Sequence, residues 1–289
     1  MTLVLIDVSS LIYRAHHTLS PDRFKRPSDG LANNVVYGVA SMTINILKNL
    51  QRDHEAIFPI ACMDSNTCSQ SRIDIDAEYK KQRPSCPVTM QHQFQWVRDL
   101  YNSMQIPCIE VPKYEADDII ATLATRTTLD KVVIISPDKD FNQLVNEKVT
   151  IYDSKKKVYI DSEAVFEKHG VKPEHFVLYQ SILGDKVDNI PGITGIGPKR
   201  AALIVDAIVK NNVSPAFEKV LSENSKQIAN NKKLVKLKND LNIQSKPKEF
   251  HFHQLSNSSY ITFLDTMEIS SVTLTKYSKV SSKSIASKK

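Results

Sequence analysis

The stretch "TLVLID" at residues 2–7 is a short apolar run that ends in an aspartate. Runs of this length that are rich in β-branched residues are typical of strands buried on both faces of a sheet. Two other runs have the same character, "AIFPIACM" at 56–63 and "KVVIIS" at 131–136. Helical apolar spacing lies between them, at 36–50 and 91–104. This alternation predicts an α/β fold with a largely parallel sheet and helices on both faces.

The chain is predicted to change character near residue 160. "VTIYD" at 149–153 and "KKVYI" at 156–160 are expected to form a hairpin at the edge of the sheet. The next segment has a helix start at Asp161 or Ser162 and a stop at Gly170, and further helical segments follow,. We therefore expect an α/β core over 1–160, a helical lobe over 161–255 and a C-terminal segment over 256–289.

Composition favours a polyanionic partner. The net charge is +6, and residues 276–289 contain five lysines and no acid, which predicts a flexible basic tail,. The acids are concentrated in "YEADD", "SPDKD" and "GDKVD". No signal peptide or membrane-spanning run is apparent, which indicates a soluble cytoplasmic protein. The cysteines lack zinc or CxxC spacing and are interpreted as reduced thiols: Cys62, Cys68, Cys86 and Cys108,.

Each predicted parallel strand leads into an aspartate: Asp7, Asp64 and Asp138. Ligands of open α/β sheets bind beyond the carboxyl ends of the strands, where these three side chains would converge. The alternative is that each aspartate merely caps the helix that follows it. Capping explains one aspartate more easily than three.

Further acids extend the predicted cluster. "YEADDIIATLA" at 114–124 is a predicted helix whose first turn is acidic, and its i,i+3 pair Glu115 and Asp118 would repel unless a cation lay between them,. The full candidate set is Asp7, Asp64, Glu115, Asp117, Asp118, Asp138, Asp140, Asp185 and Asp188. Oxygen ligands at this density suit two Mg²⁺ or Mn²⁺ ions rather than zinc. Two such ions predict hydrolysis of a phosphodiester.

Six motifs, in order, resemble the 5′-nuclease (flap endonuclease-like) family, most closely the 5′→3′ exonuclease domain of bacterial DNA polymerase I and its stand-alone relatives. They are "LIDVSSLIYRAHH", "ACMDSN", "EYKKQRP", "YEADDIIATLA", "SPDKDFNQLV" and "GDKVDNIPGITGIGPKRAA". The resemblance covers about residues 1–210. It implies a PIN-like core with a helical arch at about 68–95, and a helix-hairpin-helix lobe.

The resemblance also implies roles for the acids. One metal ion would be held mainly by Asp7, Asp64, Glu115, Asp117 and Asp138. A second would lie near Asp140, Asp185 and Asp188, with Asp118 in the same cluster.

Basic and aromatic residues have predicted substrate contacts. Arg14 is expected to hold a substrate phosphate, and the resemblance implies that Lys80 and Arg83 act on the scissile phosphate. Arg72 matches a basic arch position, and Tyr79 is expected to stack on a base or sugar. Read alone, "YKKQRP" also fits a solvated basic loop.

Four of the seven glycines lie in 184–202, three of them in the hairpin motif: Gly192, Gly195 and Gly197. They are expected to let backbone N–H groups approach duplex phosphates, beside a helix that begins near Pro198. Lys199 and Arg200 would add charge to this sequence-independent contact. The resemblance implies a K⁺ ion at the same turn.

The predicted activity is a structure-specific, metal-dependent 5′ nuclease for DNA replication and repair. Its expected partners are DNA 5′ flaps, nicked or gapped duplexes and RNA–DNA primer junctions, together with a DNA polymerase and no membrane; the chain is expected to be a monomer at the nucleoid. A PIN-like ribonuclease and a non-catalytic DNA-binding module are the alternatives. A Rossmann nucleotide site is disfavoured because the glycines do not follow the first strand.

Overall fold

A computed structural model describes residues 1–243 and 257–270. Its centre is one six-stranded sheet in the order β3-β2-β1-β4-β5-β6, in which only the β5–β6 pair is antiparallel. The strands are β1 (Thr2–Asp7), β2 (Ile57–Cys62), β3 (Cys108–Ile109), β4 (Lys131–Ile135), β5 (Val149–Asp153) and β6 (Val158–Ile160). The predicted parallel sheet and its edge hairpin are confirmed.

Helices flank both faces of this sheet. In the first half of the chain they are α1 (Val8–Thr18), α2 (Asn34–Asp53), α3 (Gln70–Ile73), α4 (Val88–Gln91), α5 (Gln93–Ser103) and α6 (Ala116–Arg126). In the second half they are α7 (Ser162–His169), α8 (Phe176–Leu183), α9 (Pro198–Val209), α10 (Pro215–Glu223), α11 (Ser225–Val235) and α12 (Asn257–Thr266). Two short 3-10 helices cover Lys139–Leu144 and Pro173–His175. Among the described helices, none has the length and apolarity needed to cross a bilayer.

The central strand β1 shows why the sheet carries two layers of helices. Its side chains alternate between faces, so that Val4 and Ile6 pack with α1, α2, α5 and α12, whereas Leu3 and Leu5 pack with α6, α8 and α9,. All four side chains are fully buried. Because both faces of the strand are covered, a continuous apolar run is required in place of an alternating one.

The helical region after residue 160 shares this core. Phe176, Ile182 and Ile204 belong to the same buried cluster as Leu3 and Leu5 of β1. The segment therefore packs directly on one face of the sheet, and it places the 184–197 hairpin beside the carboxyl ends of the strands. The predicted start and stop of α7 are confirmed, because Asp161 caps the helix and Gly170 has φ of 70°,.

The arch segment, defined here as residues 68–95, is not one long helix. It contains only the single-turn helices α3 and α4, the first residues of α5 and a series of turns. The Lys80 N–H donates to the Asp188 carbonyl oxygen at 3.0 Å, so the segment lies against the hairpin region. The predicted basic tail at 276–289 lies outside the described residues.

Candidate active site

A cleft of about 460 Å³ opens at the carboxyl ends of β1, β2 and β4. It brings together eight of the nine predicted carboxylates: Asp7, Asp64, Glu115, Asp117, Asp138, Asp140, Asp185 and Asp188. We call this the carboxylate cleft. Parallel strands place their carboxyl ends at one edge, which is why residues so distant in sequence meet there.

The aspartates that follow the strands cap the next helical turn and also meet in the cleft. Asp7 accepts the Ser10 N–H at 3.1 Å at the start of α1, and it also accepts the Ser136 hydroxyl at 2.7 Å. Asp138 accepts the Asp140 N–H at 2.9 Å. The caps fix the orientation of these carboxylates, so the two interpretations that the sequence left open are compatible.

Asp64 is also held by two hydrogen bonds. It accepts the Ala116 N–H at the start of α6 and the Ser9 hydroxyl, both at 2.7 Å. Asp64 thereby links the strand β2 to the acidic helix α6. This long-range cap is invisible in the sequence because the partners are far apart along the chain.

Asp118 does not line the cleft in this structure, and its predicted place near the second metal ion remains a prediction. Its side chain is fully buried and accepts two hydrogen bonds from the Arg72 guanidinium, at 2.7 and 2.8 Å, and one from the Lys238 N–H at 2.9 Å. Arg72 also lies 3.2 Å from Glu115. The cation that relieves the i,i+3 repulsion of Glu115 and Asp118 is therefore Arg72.

Arg72 and Tyr79 are buried in this structure, each about 4% exposed, and their predicted nucleic-acid contacts remain predictions. Arg72 donates to the Leu234 carbonyl oxygen at 3.0 Å as well as to the two acids. The Tyr79 hydroxyl bonds to Glu115 and Asp188, each at 3.1 Å. Both residues fix the arch segment to the site instead of facing solvent.

Cationic side chains enter the cleft between the acids. Lys80 lies 2.8 Å from Glu115 and 3.7 Å from Asp188, and Arg83 lies 2.6 Å from Asp188. The backbone of Lys80 has φ of 55°, a conformation that costs free energy for a lysine and that its hydrogen bond to the Asp188 carbonyl helps to hold,. Lys80 and Arg83 thus lie beside the acids, and their contact with the scissile phosphate remains a prediction.

The acids carry unequal proton affinities. Burial raises the pKa of Asp7 to about 6 and that of Asp140 to about 7, and neighbouring carboxylates add to both shifts,. Burial and then Asp138 raise the pKa of Asp117 well above its usual value. For Glu115, burial acts in the opposite sense, but Lys80 and Arg72 outweigh it and lower the pKa to about 2. Eight acids and three basic side chains, Lys80, Arg83 and Lys139, line the cleft, so the acids carry more charge than these cations neutralise once the pH exceeds the raised pKa values.

The donor chemistry fits hard divalent cations, although in this structure several of the acids form ion pairs with basic side chains instead. Over residues 1–243 and 257–270, no three acidic, histidine or cysteine side chains are close enough together to hold a metal ion. Lys80, Arg83 and Lys139 instead bind Glu115, Asp188 and Asp185, respectively. The oxygen-only donor set and the raised pKa values of Asp7, Asp138 and Asp140 match the requirements of a strongly charged cation,.

Several residues of the cleft were not identified from the sequence. Lys139 lies 3.0 Å from Asp185, and the Tyr13 ring lines the cleft while 45% exposed. The buried Gln180 amide donates to Asp140 at 2.5 Å. Lys139 lies between two predicted ligands and Tyr13 lies within one of the six motifs, so the sequence could have indicated both. Nothing in the sequence marks Gln180.

The remaining predicted residues lie outside the cleft lining. Arg14 donates to the Ser154 hydroxyl at 3.0 Å in the β5–β6 turn. Lys199 and Arg200, and with them Gly195 and Gly197, are exposed along the hairpin and the start of α9. Their contacts with DNA remain predictions.

Gly192 has an internal reason to be glycine. A Cβ atom there would stand 2.0 Å from the Leu183 carbonyl oxygen, which no side chain can tolerate. The close approach is between the hairpin and the end of α8. For Gly192, contact with a nucleic-acid backbone is therefore not needed to explain the residue.

Comparison with known protein families gives two adjoining matches. A family described as "5'-3' exonuclease, N-terminal resolvase-like domain" matches residues 2–170, and one described as "5'-3' exonuclease, C-terminal SAM fold" matches residues 171–258. Together they span nearly the whole described part of the chain.

Individual relatives agree with these matches. A 5'-3' exonuclease of Aquifex aeolicus is 35% identical over 252 residues, which cover 84% of each chain. DNA polymerase I of Rhizobium leguminosarum is 39% identical over 208 residues, 71% of this chain but 20% of the polymerase. The chain thus spans most of one relative and about a fifth of the other.

Solved structures share the fold at low identity. The T5 5'-exonuclease with bound divalent metal ions (zinc) aligns with a TM-score of 0.61 and 20% identity, over 98% of this chain and 99% of that one. Flap endonuclease-1 from Methanococcus jannaschii aligns with a TM-score of 0.62 and 18% identity, over 99% and 93% of the two chains. The PIN-like α/β architecture is therefore confirmed.

The buried pair of Arg72 and Asp118 leads to a stability prediction. We expect Asp118→Ala to lower the free energy of unfolding by about 3–5 kcal/mol, because Arg72 would keep a buried charge without its bidentate partner. The measurement is urea unfolding followed by circular dichroism. Asp206→Ala, which breaks the exposed Asp206–Lys210 pair at 2.9 Å, is the matched control and should cost less than about 1 kcal/mol,. Equal costs for the two variants would contradict this account.

The raised pKa of Asp140 leads to a pH prediction. Between pH 3.8 and about 7 the unfolded chain ionises this group while the folded protein retains the proton, so ionisation favours unfolding as pH rises,. The stability of Asp140→Asn relative to the wild type should therefore increase across that window and stay constant above it. Urea unfolding in EDTA at several pH values measures the difference, in which unrelated titrations cancel.

Above neutral pH, added Mn²⁺ should stabilise the wild type more than Asp140→Asn, because the ion binds the ionised Asp140 carboxylate. A difference between the two proteins that does not change with pH would show that Asp140 has an ordinary pKa.

Proposed function

Because this chain belongs to the 5′-3′ exonuclease family, we propose that it is a structure-specific, metal-dependent 5′ nuclease. Its substrates would be phosphodiester bonds at DNA 5′ flaps, DNA 5′ ends and RNA primers. The observation that carries the proposal is the carboxylate cleft, in which eight acids from separate motifs meet beside Lys80 and Arg83.

The residues divide by their place in the cleft. Asp7, Asp64, Glu115, Asp117 and Asp138 would hold one Mg²⁺ or Mn²⁺ ion, and Asp140, Asp185 and Asp188 would hold or orient a second. When bound, two such ions neutralise the phosphate and lower the pKa of a water molecule. Asp7 and Asp138 are already oriented by hydrogen bonds from Ser10, Ser136 and Asp140. Little rearrangement of these two side chains would be needed.

Lys80 and Arg83 would stabilise the charge that develops on the scissile phosphate. Their present partners are Glu115 and Asp188, so cations bound by those acids would release both basic side chains towards the substrate. Positive groups fixed where charge develops lower the barrier most when they are already in place. The left-handed backbone at Lys80 provides such a fixed position.

The hairpin and α9 would anchor duplex DNA. The helix α9 begins at Pro198, its first turn exposes Lys199 and Arg200, and the positive end of its dipole faces the same way,. Gly195, with φ of 76°, gives the turn its shape, and a K⁺ ion at this turn is part of the proposal. Such contacts with phosphates are independent of sequence. Cutting would thus be assigned to residues 1–160 together with Asp185 and Asp188, and duplex anchoring to the rest of 161–255.

The proposed DNA substrate also indicates where the protein acts and with which partner. We infer a cytoplasmic monomer that works at the nucleoid beside a DNA polymerase. The match to one-fifth of DNA polymerase I of Rhizobium leguminosarum supports the polymerase partner.

Removing a central carboxylate tests the proposal. Asp138→Ala and Asp64→Ala should abolish cleavage of a 5′-labelled flap while DNA binding stays largely intact, because the two acids hold metal rather than DNA. The assay compares flap, nicked duplex, RNA–DNA hybrid and folded RNA with Mg²⁺, Mn²⁺ or EDTA. Near wild-type turnover by either variant would refute the metal assignment, and cleavage confined to folded RNA would favour a ribonuclease.

Lys80 and its neighbour Lys81 form a matched pair. Lys80→Ala should slow the single-turnover rate by roughly 10²–10³, because a positive group aimed at the reacting phosphate is lost. Lys81 is 65% exposed and, within the part of the chain that the structure describes, its ion-pair partner is Glu78, so Lys81→Ala should cut at the wild-type rate. Equal rates for the two variants would remove Lys80 from catalysis.

A further inference from the structure

The Gln180 side chain is a buried polar group of α8 beside the carboxylate cleft. It is 1% exposed, and its Nε2 donates to the Asp140 Oδ1 at 2.5 Å. Among residues 1–243 and 257–270, no group donates a hydrogen bond to the Gln180 Oε1. Burying an amide costs free energy unless its polar atoms are paired. An apolar side chain would pack α8 at lower cost, so the amide indicates a role at the site.

The contact with Gln180 removes the remaining freedom of the Asp140 side chain. The backbone of Asp140 is already fixed, because its N–H donates to the Asp138 carboxylate and its carbonyl accepts the Gln143 amide, both at 2.9 Å. The Gln143 amide also donates to the Val235 carbonyl at 3.0 Å, which ties this 3-10 helix to α11. The carboxylate is the part that can still rotate, and the Gln180 N–H holds it in one orientation.

Repulsion among the acids explains why the carboxylate has to be held. Burial raises the pKa of Asp140 most, and the negative charges of Asp138, Asp188 and Asp185 raise it further. An unrestrained carboxylate would turn away from these charges, and so away from a metal ion that they share. The Gln180 hydrogen bond opposes this movement without adding a charge to the site.

The partner of Asp140 is neutral, whereas the other two acids proposed for the second ion have cationic partners. Those two ion pairs are Asp185 with Lys139 and Asp188 with Arg83. A divalent cation would have to separate both pairs in order to bind these acids. Gln180 contacts one oxygen of Asp140, and within the described part of the chain the other oxygen, Oδ2, accepts no hydrogen bond. Asp140 can therefore bind an ion without exchanging its partner.

Helix α8 connects the two segments that would share the second ion. Its residue Gln180 contacts Asp140, which follows β4, and the same helix leads through Gly184 into Asp185. The Gly184 N–H donates to the Gln180 carbonyl at 2.7 Å, which continues the helix to that point. Gln180 thus sets the position of the Asp140 carboxylate relative to Asp185.

We propose that Gln180 is a positioning residue for the second metal ion. Its amide N–H holds one oxygen of the Asp140 carboxylate and leaves the other oxygen free for the ion, so the affinity for the second ion depends on Gln180. The inference rests on the proposed nuclease function and deepens it by identifying what prepares the second site. Removing a partner that orients a metal ligand in this way changes metal affinity by about 10–100-fold.

The test measures the binding of Mn²⁺ to the protein without DNA, by electron paramagnetic resonance of the free ion. Gln180→Met removes the amide and keeps the length of the side chain. Asp140→Asn identifies which class of Mn²⁺ sites belongs to the second ion, because it alters the ligand itself. Asn231→Leu is the matched control, since Asn231 is equally buried and donates to the Ser181 and Pro191 carbonyls, at 2.9 and 2.7 Å, and to no acid within the described ranges.

Gln180→Met should weaken, by about 10-fold or more, the class of sites that Asp140→Asn weakens, and it should leave the affinity of the other class unchanged. Asn231→Leu should keep the wild-type affinity of both classes. Gln180→Asn, whose side chain is too short to reach Asp140, should behave as Gln180→Met does, and it takes the place of that variant where circular dichroism shows that Gln180→Met does not fold.

Flap cleavage gives a second measurement. The Mg²⁺ concentration that half-saturates the rate should rise in Gln180→Met by a factor similar to the loss of Mn²⁺ affinity. The rate at saturating Mg²⁺ should approach that of the wild type, because excess ion fills a weakened site. A general structural defect would lower that maximal rate instead.

Wild-type Mn²⁺ affinity of both classes in the Gln180 variants would overturn the proposal while leaving the nuclease assignment intact. Equal weakening of both classes, or a rate that excess Mg²⁺ does not restore, would overturn it as well. If the wild-type protein itself binds no Mn²⁺ and cuts no flap, the proposed function fails, whatever the Gln180 variants do.

Discussion

The constraint on which the structure depends is the cost of holding many carboxylates together at the end of a buried sheet. Each acid loses hydration and repels its neighbours, which is why the pKa values of Asp7 and Asp140 rise,. The protein offsets part of this cost with serine hydroxyls, helix N-termini and cations. Arg72, Lys80, Arg83 and Lys139 each contact at least one of these acids or Asp118. The part of this cost that these groups do not offset would be relieved by a bound divalent cation, which is why the cleft would bind one.

The same electrostatics determines the position of the arch segment. Arg72, Tyr79, Lys80 and Arg83 all lie in it, and all contact Glu115, Asp118 or Asp188. The segment has little regular structure of its own, so these ion pairs and hydrogen bonds hold it against the site. Two of the side chains, Arg72 and Tyr79, are buried and structural, while Lys80 and Arg83 remain at the cleft. Adjacent residues in one basic motif thus have different tasks.

The fold and most of the site were predictable because they depend on local patterns. Apolar runs such as 2–6 identified the strands, and an aspartate after each run identified the edge where ligands bind. The sequence did not reveal that Asp118, Arg72 and Tyr79 are buried, because each is directed inward by a partner far away in the chain. Gln180 went unrecognised for the same reason, since its only signal is the contact with Asp140. Residue type predicts what a side chain can do, but not which neighbour it meets.

The sequence by itself determined the parallel sheet, the meeting of eight acids at one edge of it, and the family. These follow from periodicity, charge and motif order, which are properties of short segments. The tertiary structure alone decided which cations neutralise which acids, and that Arg72 rather than a metal ion separates Glu115 from Asp118. It also placed the Gln180 amide against Asp140, because α8 meets that acid only through its packing on the sheet.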